Sequence, residues 1–300
     1  MTATHPSRSA RLRALVRDHT VVLPGAFNAL TARAIERAGF EALYLSGAAL
    51  ANSMVGVADI GLTTLSEAAY HAARCAAVTT IPIISDADTG FGGPENAAST
   101  VTEFERVGLS GLHLEDQEFP KRCGHLAGKQ LVPVAEFCEK LSAAAGARRD
   151  PDFLLIARTD ARGVTSYDDA VARAHAYLKA GADAIFPEAL QDRAEFERFA
   201  RDVPGVSLLA NMTEFGKTPY VTVAEFAALG YRLVIFPVTL QRVAVKAVLD
   251  ALAELHATGT QQGFVSRMQT RQELYELLDY NPGDKATARR SDEGSQNATR

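Results

Sequence analysis

GLSGLHLED, residues 108–116, holds the pattern that decides the fold. Gly108 reads as a helix C-cap, because the residue just past a last turn often takes φ > 0. A short apolar run follows at once and ends on Glu115 and Asp116. The phrase returns as Gly39-Phe-Glu-Ala-Leu43, Gly181-Ala-Asp-Ala-Ile185 and Gly230-Tyr-Arg-Leu-Val234. Helical patterns precede these glycines, as with Phe27, Leu30, Ala34 and Ala38 before Gly39. The intervals are uneven, which excludes a solenoid of fixed period. The unit that repeats is helix, cap, strand.

Working outward, apolar runs bounded by turn residues predict eight strands, near 21–24, 42–46, 82–86, 111–115, 154–158, 184–188, 206–211 and 232–237. Their near-continuous Val, Ile, Leu and Ala content is what parallel strands covered on both faces require. Strand and helix alternating eight times favour an α/β fold of the (β/α)₈ barrel type. The competitor, a doubly wound open sheet, lacks its usual G-x-G-x-x-G fingerprint here. Residues 1–17 predict an amphipathic helix. They carry Arg and Ser without acid, a weak match to a transit peptide, and lack the apolar core of a secretory signal. Residues 1–280 are expected to form one barrel domain and 281–300, almost free of large apolar side chains, a disordered tail. Leu274, Leu277 and Leu278 give the stretch Met268 to Tyr280 a helical face that needs a packing partner.

Composition narrows the function classes. The 300 residues are 22% charged and 47% hydrophobic with a formal charge of −5, a globular balance without the basic surplus of a nucleic-acid binder. The longest uncharged stretch, Ala42 to Ala58, falls short of the roughly 20 apolar residues that span a bilayer, so no membrane partner is expected. Cys75, Cys123 and Cys138 show no C-x-x-C spacing, which argues against a disulfide framework or a thiolate zinc site and for the reducing cytoplasm. Cys75 and Cys138 sit in helical patterns and read as packing residues.

The chemistry collects where the apolar runs end. Ser46 ends the second, Asp86 and Asp88 the third, Glu115 and Asp116 the fourth, Arg158 and Asp160 the fifth, Glu188 the sixth, and Asn211 with Thr213 the seventh. In a barrel these ends share one rim, the rim that carries active sites. Some of these carboxylates are equally explained as helix caps or as partners of Arg158. Asp86-Ala-Asp88, read as one face of an extended strand, makes with Glu115 an all-oxygen environment suited to Mg²⁺ or Mn²⁺. Lys121-Arg-Cys-Gly-His125 falls in a loop from Gln117 to Lys129. Its thiol is flanked by cations, which favours reactivity. His113, inside the fourth run, reads as a hydrogen-bonded core or rim histidine.

YLSG at 44–47, DADTGFG at 86–92, LHLEDQ at 112–117, KRCGH at 121–125, ARTDA at 157–161, FPEA at 186–189 and NMTEFGKTP at 211–219 resemble the isocitrate lyase and phosphoenolpyruvate mutase superfamily, as does MQTRQELYELLDY near the C-terminus. The resemblance covers roughly residues 10–280. It implies a (β/α)₈ barrel whose C-terminal helix is exchanged between subunits of a homotetramer, with Mg²⁺ held at Asp86 and Asp88 and Glu115 nearby. It also implies contacts with a small di- or tricarboxylate substrate at Ser46, Gly47, Gly124, His125, Arg158, Glu188, Asn211, Thr213, Arg242 and Arg271. Asp59 and Lys121 match active-site positions, Cys123 matches the catalytic thiol, and Tyr44 and Asp59 are both candidates for the base.

The reaction the resemblance implies is cleavage of 2-methylisocitrate to pyruvate and succinate, with Cys123 as general acid. Lys121, Arg122 and His125 favour thiolate at Cys123 whereas this role needs the protonated thiol. Ala48 and Ala49 after Gly47, Leu126 after His125, and the segment PVTLQR before and including Arg242 depart from the pattern, which leaves the metal site intact and concerns the pocket for the substrate's alkyl group. Related activities on isocitrate, 2-alkylmalates or oxaloacetate are the alternatives. A phosphonate mutase is disfavoured by the thiol, and a non-catalytic binding barrel by the completeness of the polar set.

Overall fold

The computed structural model describes residues 6–122, 128–216 and 218–282. Its eight strands are β1 (Val21–Pro24), β2 (Leu43–Leu45), β3 (Ile83–Asp86), β4 (Gly111–Glu115), β5 (Leu154–Thr159), β6 (Ala184–Pro187), β7 (Ser207–Asn211) and β8 (Leu233–Phe236). All eight fall on the predicted runs. They pair in parallel in the order β1-β8-β7-β6-β5-β4-β3-β2. The ends of this sheet meet through a parallel bridge between Gly25 and Tyr44, where the Ala26 N–H donates to the Tyr44 carbonyl at 2.8 Å. The result is a near-closed barrel. Gly39, Gly108, Gly181 and Gly230 all have φ between 87° and 111°, as their reading as helix ends requires.

Strand alternation sorts the side chains. Leu43, Ile83, Leu112, Leu114, Leu155, Ile185, Leu208 and Val234 pack outward under the helices. Val21, Leu23, Tyr44, Ile84, Leu154, Ile156, Phe186, Leu209, Leu233 and Ile235 form a second cluster that fills the barrel. The inward series runs on to Asp86, Glu115, Arg158, Glu188 and Asn211, two residues beyond the apolar ones, because successive same-side residues are two apart. The site is therefore the top layer of the barrel filling.

The helix Arg8–Asp18 closes the other end. Ser7 caps it, accepting from the Ala10 N–H at 3.1 Å, and Leu12 and Val16, one turn apart, are buried in the interior cluster with Val21, Leu154 and Leu233. Burying two such side chains contributes about 3–6 kcal/mol. One helical face was phased differently in the sequence reading. In the helix Ala29–Arg37 the buried residues are Ala32 and Ile35, while Leu30 is 39% exposed. Asn28 accounts for the phase: its side chain accepts from the Thr31 N–H at 2.8 Å, so the helix starts after Phe27 and turns Ala32 inward.

Contacts divide the chain into Met1–Ala244 and Val245–Arg300. In the second unit Val245, Val248, Leu249, Leu252 and Leu255, on the helix that ends at Thr258, are exposed. Arg267 pairs with Glu254 at 2.6 Å, and the helix Arg271–Leu277 begins with a Thr270–Glu273 capping box and buries no residue. Most of the tail 281–300 lies outside the described residues. Among the described residues no helix is long and apolar enough to cross a membrane.

Gly25 is the tightest point of the seam. A Cβ there would stand 2.0 Å from the Pro237 carbonyl oxygen. Gly25→Ala is expected to cost about 3 kcal/mol or more and to lower the thermal midpoint by roughly 5 °C or more. Scanning calorimetry checks this, and an unchanged midpoint would mean that the seam contributes little.

Candidate active site

β3 ends on Asp86, and the chain then turns sharply, with Asp88 at φ 46°. The two carboxylates are thus brought together by a turn and not by the alternation of an extended strand. Asp86 Oδ1 accepts the Asp88 N–H at 2.9 Å and Oδ2 accepts the Gly47 N–H at 3.2 Å. Gly47 is needed as glycine: a Cβ would meet Asp86 Oδ2 at 2.9 Å and Asp88 Oδ1 at 3.2 Å. Ser46, expected as a substrate contact, caps the short helix Gly47–Leu50, accepting from the Ala49 N–H at 3.4 Å.

Lys121 is buried and bridges two acids. Its ammonium hydrogen-bonds Asp59 and pairs with Asp88 Oδ1 at 2.8 Å. Arg158 rises from β5 over the Phe186 ring, 5.1 Å from its centre, with Glu115 at 3.3 Å and Glu188 at 3.6 Å. Asn211 donates to Glu188 Oε2 at 3.2 Å. On β4, His113 shares a 2.7 Å hydrogen bond with the Tyr44 hydroxyl, stacks on its ring, and approaches Asp86 Oδ1 to 3.7 Å. The histidine is a hydrogen-bonded interior residue as expected, but it also touches the carboxylate pair, a role its placement two residues before Glu115 on the same face could have revealed.

Burial sets the electrostatics. It pushes Asp88 up to about 6 and Glu115 well above the usual carboxylate range, against the opposing pull of nearby cations. It drives His113 down to about 4 and raises the Tyr44 hydroxyl well above its ordinary value. Both rings are therefore neutral at pH 7. Asp86 stays below the usual range: its own desolvation pushes it up, and the pull of the surrounding groups, Lys121, Arg158 and the Asp88 N–H among them, outweighs that.

Asp59, Asp86, Asp88, Glu115, Asp160 and Glu188 stand against three cations, Lys121, Lys129 and Arg158. Such an excess of buried negative charge is costly unless offset. Hard oxygen donors, a buried Glu115 oxygen without a hydrogen-bond partner, an Asp88 oxygen met by the Lys121 ammonium and a glycine that leaves room beside the pair fit a divalent cation such as Mg²⁺. Among the described residues no three ligands form a ready-made cage. Mg²⁺ does not need one, since it keeps several waters and commonly takes only one or two carboxylates.

Other residues fall elsewhere. Asp116 faces away from the barrel interior, where it accepts from Thr159 Oγ1 at 2.7 Å, the Tyr177 hydroxyl at 2.8 Å and the Asp160 N–H at 2.9 Å, with Arg173 at 3.3 Å. It braces the rim and does not line the site. Cys75 is buried in the outer core and Cys138 packs against Ala176, both as packing residues. Arg242 is 43% exposed and pairs with Glu214 at 2.9 Å, beside Thr213 in sequence. Arg271 opens the last helix of the second unit. Cys123, Gly124 and His125 lie outside the described residues. The stems around them are fixed: Gln117 pairs with Leu131, and the Gln117 side chain holds both the N–H and the carbonyl of Arg122 at 2.9 and 2.8 Å.

A parallel barrel whose strand tips gather carboxylates, a lysine and an arginine above an apolar interior defines an α/β-barrel enzyme with a site suited to small polar molecules. Residues 12–256 match the family described as phosphoenolpyruvate phosphomutase. A probable 2-methylisocitrate lyase of Corynebacterium glutamicum is 52% identical, with 93% of this chain and 92% of that protein covered. The crystal structure of a 2,3-dimethylmalate lyase, a member of the PEP mutase/isocitrate lyase superfamily, superposes with TM-score 0.86 at 38% identity, covering 92% of each chain. A phosphonopyruvate hydrolase solved with oxalate and Mg²⁺ matches with TM-score 0.82 at 32% identity over 91% of this chain and 95% of that one. The chain belongs to the PEP mutase/isocitrate lyase superfamily.

Proposed function

We propose that this protein is a carbon–carbon lyase that cleaves 2-methylisocitrate to pyruvate and succinate. The observation that carries the reading is 52% identity over nearly the whole chain to a probable 2-methylisocitrate lyase, joined to the buried Asp86–Asp88 pair beside Lys121 and Arg158. Asp86 and Asp88, with Glu115 nearby, would hold a Mg²⁺, which would supply stabilisation of negative charge developing on substrate oxygens, worth several kcal/mol.

The chain's own groups do the rest. Arg158 holds a substrate carboxylate, because its planar guanidinium matches one bidentately. Glu188, Asn211, Ser46, Gly47, Gly124, His125, Thr213, Arg242 and Arg271 complete the substrate contacts. A base takes the C2 hydroxyl proton, the C2–C3 bond breaks to release pyruvate, and the electron pair stays on the succinate half as an aci-carboxylate. Cys123 then donates its proton to that carbon. Of the two candidates for the base, Asp59 is a carboxylate tied to Lys121, and Tyr44 is a phenol whose burial opposes ionisation. That contrast favours Asp59 as acceptor and Tyr44 as a hydrogen-bonding partner of the substrate oxygen.

Residues 1–280 then act as one barrel domain whose C-terminal helix is exchanged within a homotetramer. The exposed Val245, Val248, Leu249, Leu252 and Leu255 support this, since a monomer rarely leaves so many apolar residues of one helix in water. The protein is expected to work in the cytoplasm.

The test is a coupled assay for pyruvate across 2-methylisocitrate, isocitrate, 2-alkylmalates and oxaloacetate. The highest kcat/KM is expected with 2-methylisocitrate. Turnover of oxaloacetate alone would overturn the reading and leave a hydrolase of the same superfamily.

A further inference from the structure

Lys129 enters the site through an ion pair that the reaction does not use. Its ammonium is 2% exposed and lies 2.5 Å from Asp160 Oδ1, itself fully enclosed. The same carboxylate holds Arg158 side-on, taking Nε at 2.9 Å and Nη2 at 3.2 Å. Asp160 is also pinned through its backbone, which donates to Asp116 Oδ1 at 2.9 Å. Lys129 in turn is set by its strand-like stem: the Glu118 N–H donates to the Gln130 carbonyl at 2.8 Å and the Val132 N–H to Asp116 at 3.0 Å.

Asp160, Glu115 and Glu188 surround one guanidinium. Even with Glu115 pushed toward its protonated form by burial, Asp160 and Glu188 outweigh the single charge of the guanidinium, which works against attracting an anionic substrate. A second cation on Asp160 gives part of that charge back. It also locks the carboxylate so that Arg158 is gripped along one edge, with Nη1 making no hydrogen bond among the described residues.

We propose that Lys129 is a positioning residue for Arg158, acting through Asp160 to keep the guanidinium oriented and net positive toward a substrate carboxylate. The inference rests on the reading of Arg158 as a substrate contact. Lys129→Met and Lys129→Gln are expected to lower kcat/KM by about 10- to 100-fold, the range typical of residues that orient a contacting residue. Most of the loss should fall on KM, because binding through a guanidinium is shared by ground and transition states. Lys129→Arg, which keeps the charge, should recover to within about threefold. In an Asp160→Asn background the further change Lys129→Met should cost less than about threefold, because the carboxylate through which it acts is gone.

The measurements use the Mg²⁺-loaded full chain and whichever diacid the wild type cleaves best, so failure on 2-methylisocitrate overturns the assigned substrate without touching this comparison. Calorimetric binding of succinate gives the same comparison without turnover, including for a variant of reduced stability, provided its melting curve shows it folded. An unchanged KM and succinate affinity in both Lys129→Met and Lys129→Gln would overturn the proposal. So would a loss of equal size with and without Asp160, which would mean that Lys129 acts by another route.

Discussion

Asp86→Ala is expected to lower kcat/KM by about a thousandfold or more in saturating Mg²⁺, and excess EDTA to silence the wild type until Mg²⁺ is restored. A thousandfold corresponds to about 4 kcal/mol of lost transition-state stabilisation, within the several kcal/mol that a Lewis acid supplies. Asp86 is the carboxylate held ionised in the cluster, and its two oxygens are aimed by the N–H groups of Gly47 and Asp88. Asp86→Asn keeps most of the shape and one of the two acceptor contacts, so its melting curve read beside that of Asp86→Ala separates loss of charge from loss of fold. Titration adds a second signature. Asp88, pushed up to about 6 by burial, binds a proton below that pH in competition with the cation. Mg²⁺ affinity should therefore hold above pH 7 and weaken roughly tenfold between pH 7 and pH 5, the expected result of one proton competing at that site. Calorimetric titration of Mg²⁺ at these two pH values checks the slope. Undiminished turnover in excess EDTA would remove the metal from the reaction.

The architecture was legible because each of its signals is local. A glycine past a helix and an apolar run of parallel-strand type need only a few neighbouring residues to be read, and all eight strands fall where those runs lie. The polar ring was legible in outline for the same reason: in a parallel barrel every strand's last inward residue lands on one rim, so Asp86, Glu115, Arg158, Glu188 and Asn211 could be gathered without knowing the contacts. What failed to show was phase and partnership. Asp116 adjoins Glu115 but belongs to the opposite face of β4, where Arg173 and Tyr177, 57 and 61 residues away, satisfy it. Asp88 reaches Asp86 through a left-handed backbone that D-A-D does not announce. Lys129 looked like one more charge on a loop, and only its burial against Asp160 marks it out.

Cys123→Ser is expected to retain the fold and Mg²⁺ binding while losing about 10²- to 10⁴-fold in kcat, the usual contribution of a positioned general acid. Bond cleavage leaves an electron pair on the succinate carbon, and that carbon must be reprotonated before product can leave. A serine hydroxyl is a far weaker acid than a thiol, so it fills the space without performing the step. The cations beside the thiol in sequence argue for thiolate, the wrong form for this task. The structure weakens that argument at its nearest point: the Lys121 ammonium is enclosed by Asp59 and Asp88, which absorb its charge. Its pKa is raised by the acids around it, the mark of a cation already spoken for. With Lys121 held by its own partners, its charge no longer stands as an argument for thiolate at Cys123. For the general-acid role, iodoacetamide is expected to modify Cys123 slowly at pH 7 and faster as pH rises through the ordinary thiol range near 8.5, with peptide mapping separating it from the packed Cys75 and Cys138. Lys121→Met should not accelerate the reaction, since it removes a charge whose effect its carboxylate partners have already absorbed. Wild-type kcat in Cys123→Ser would move the proton donor to another group.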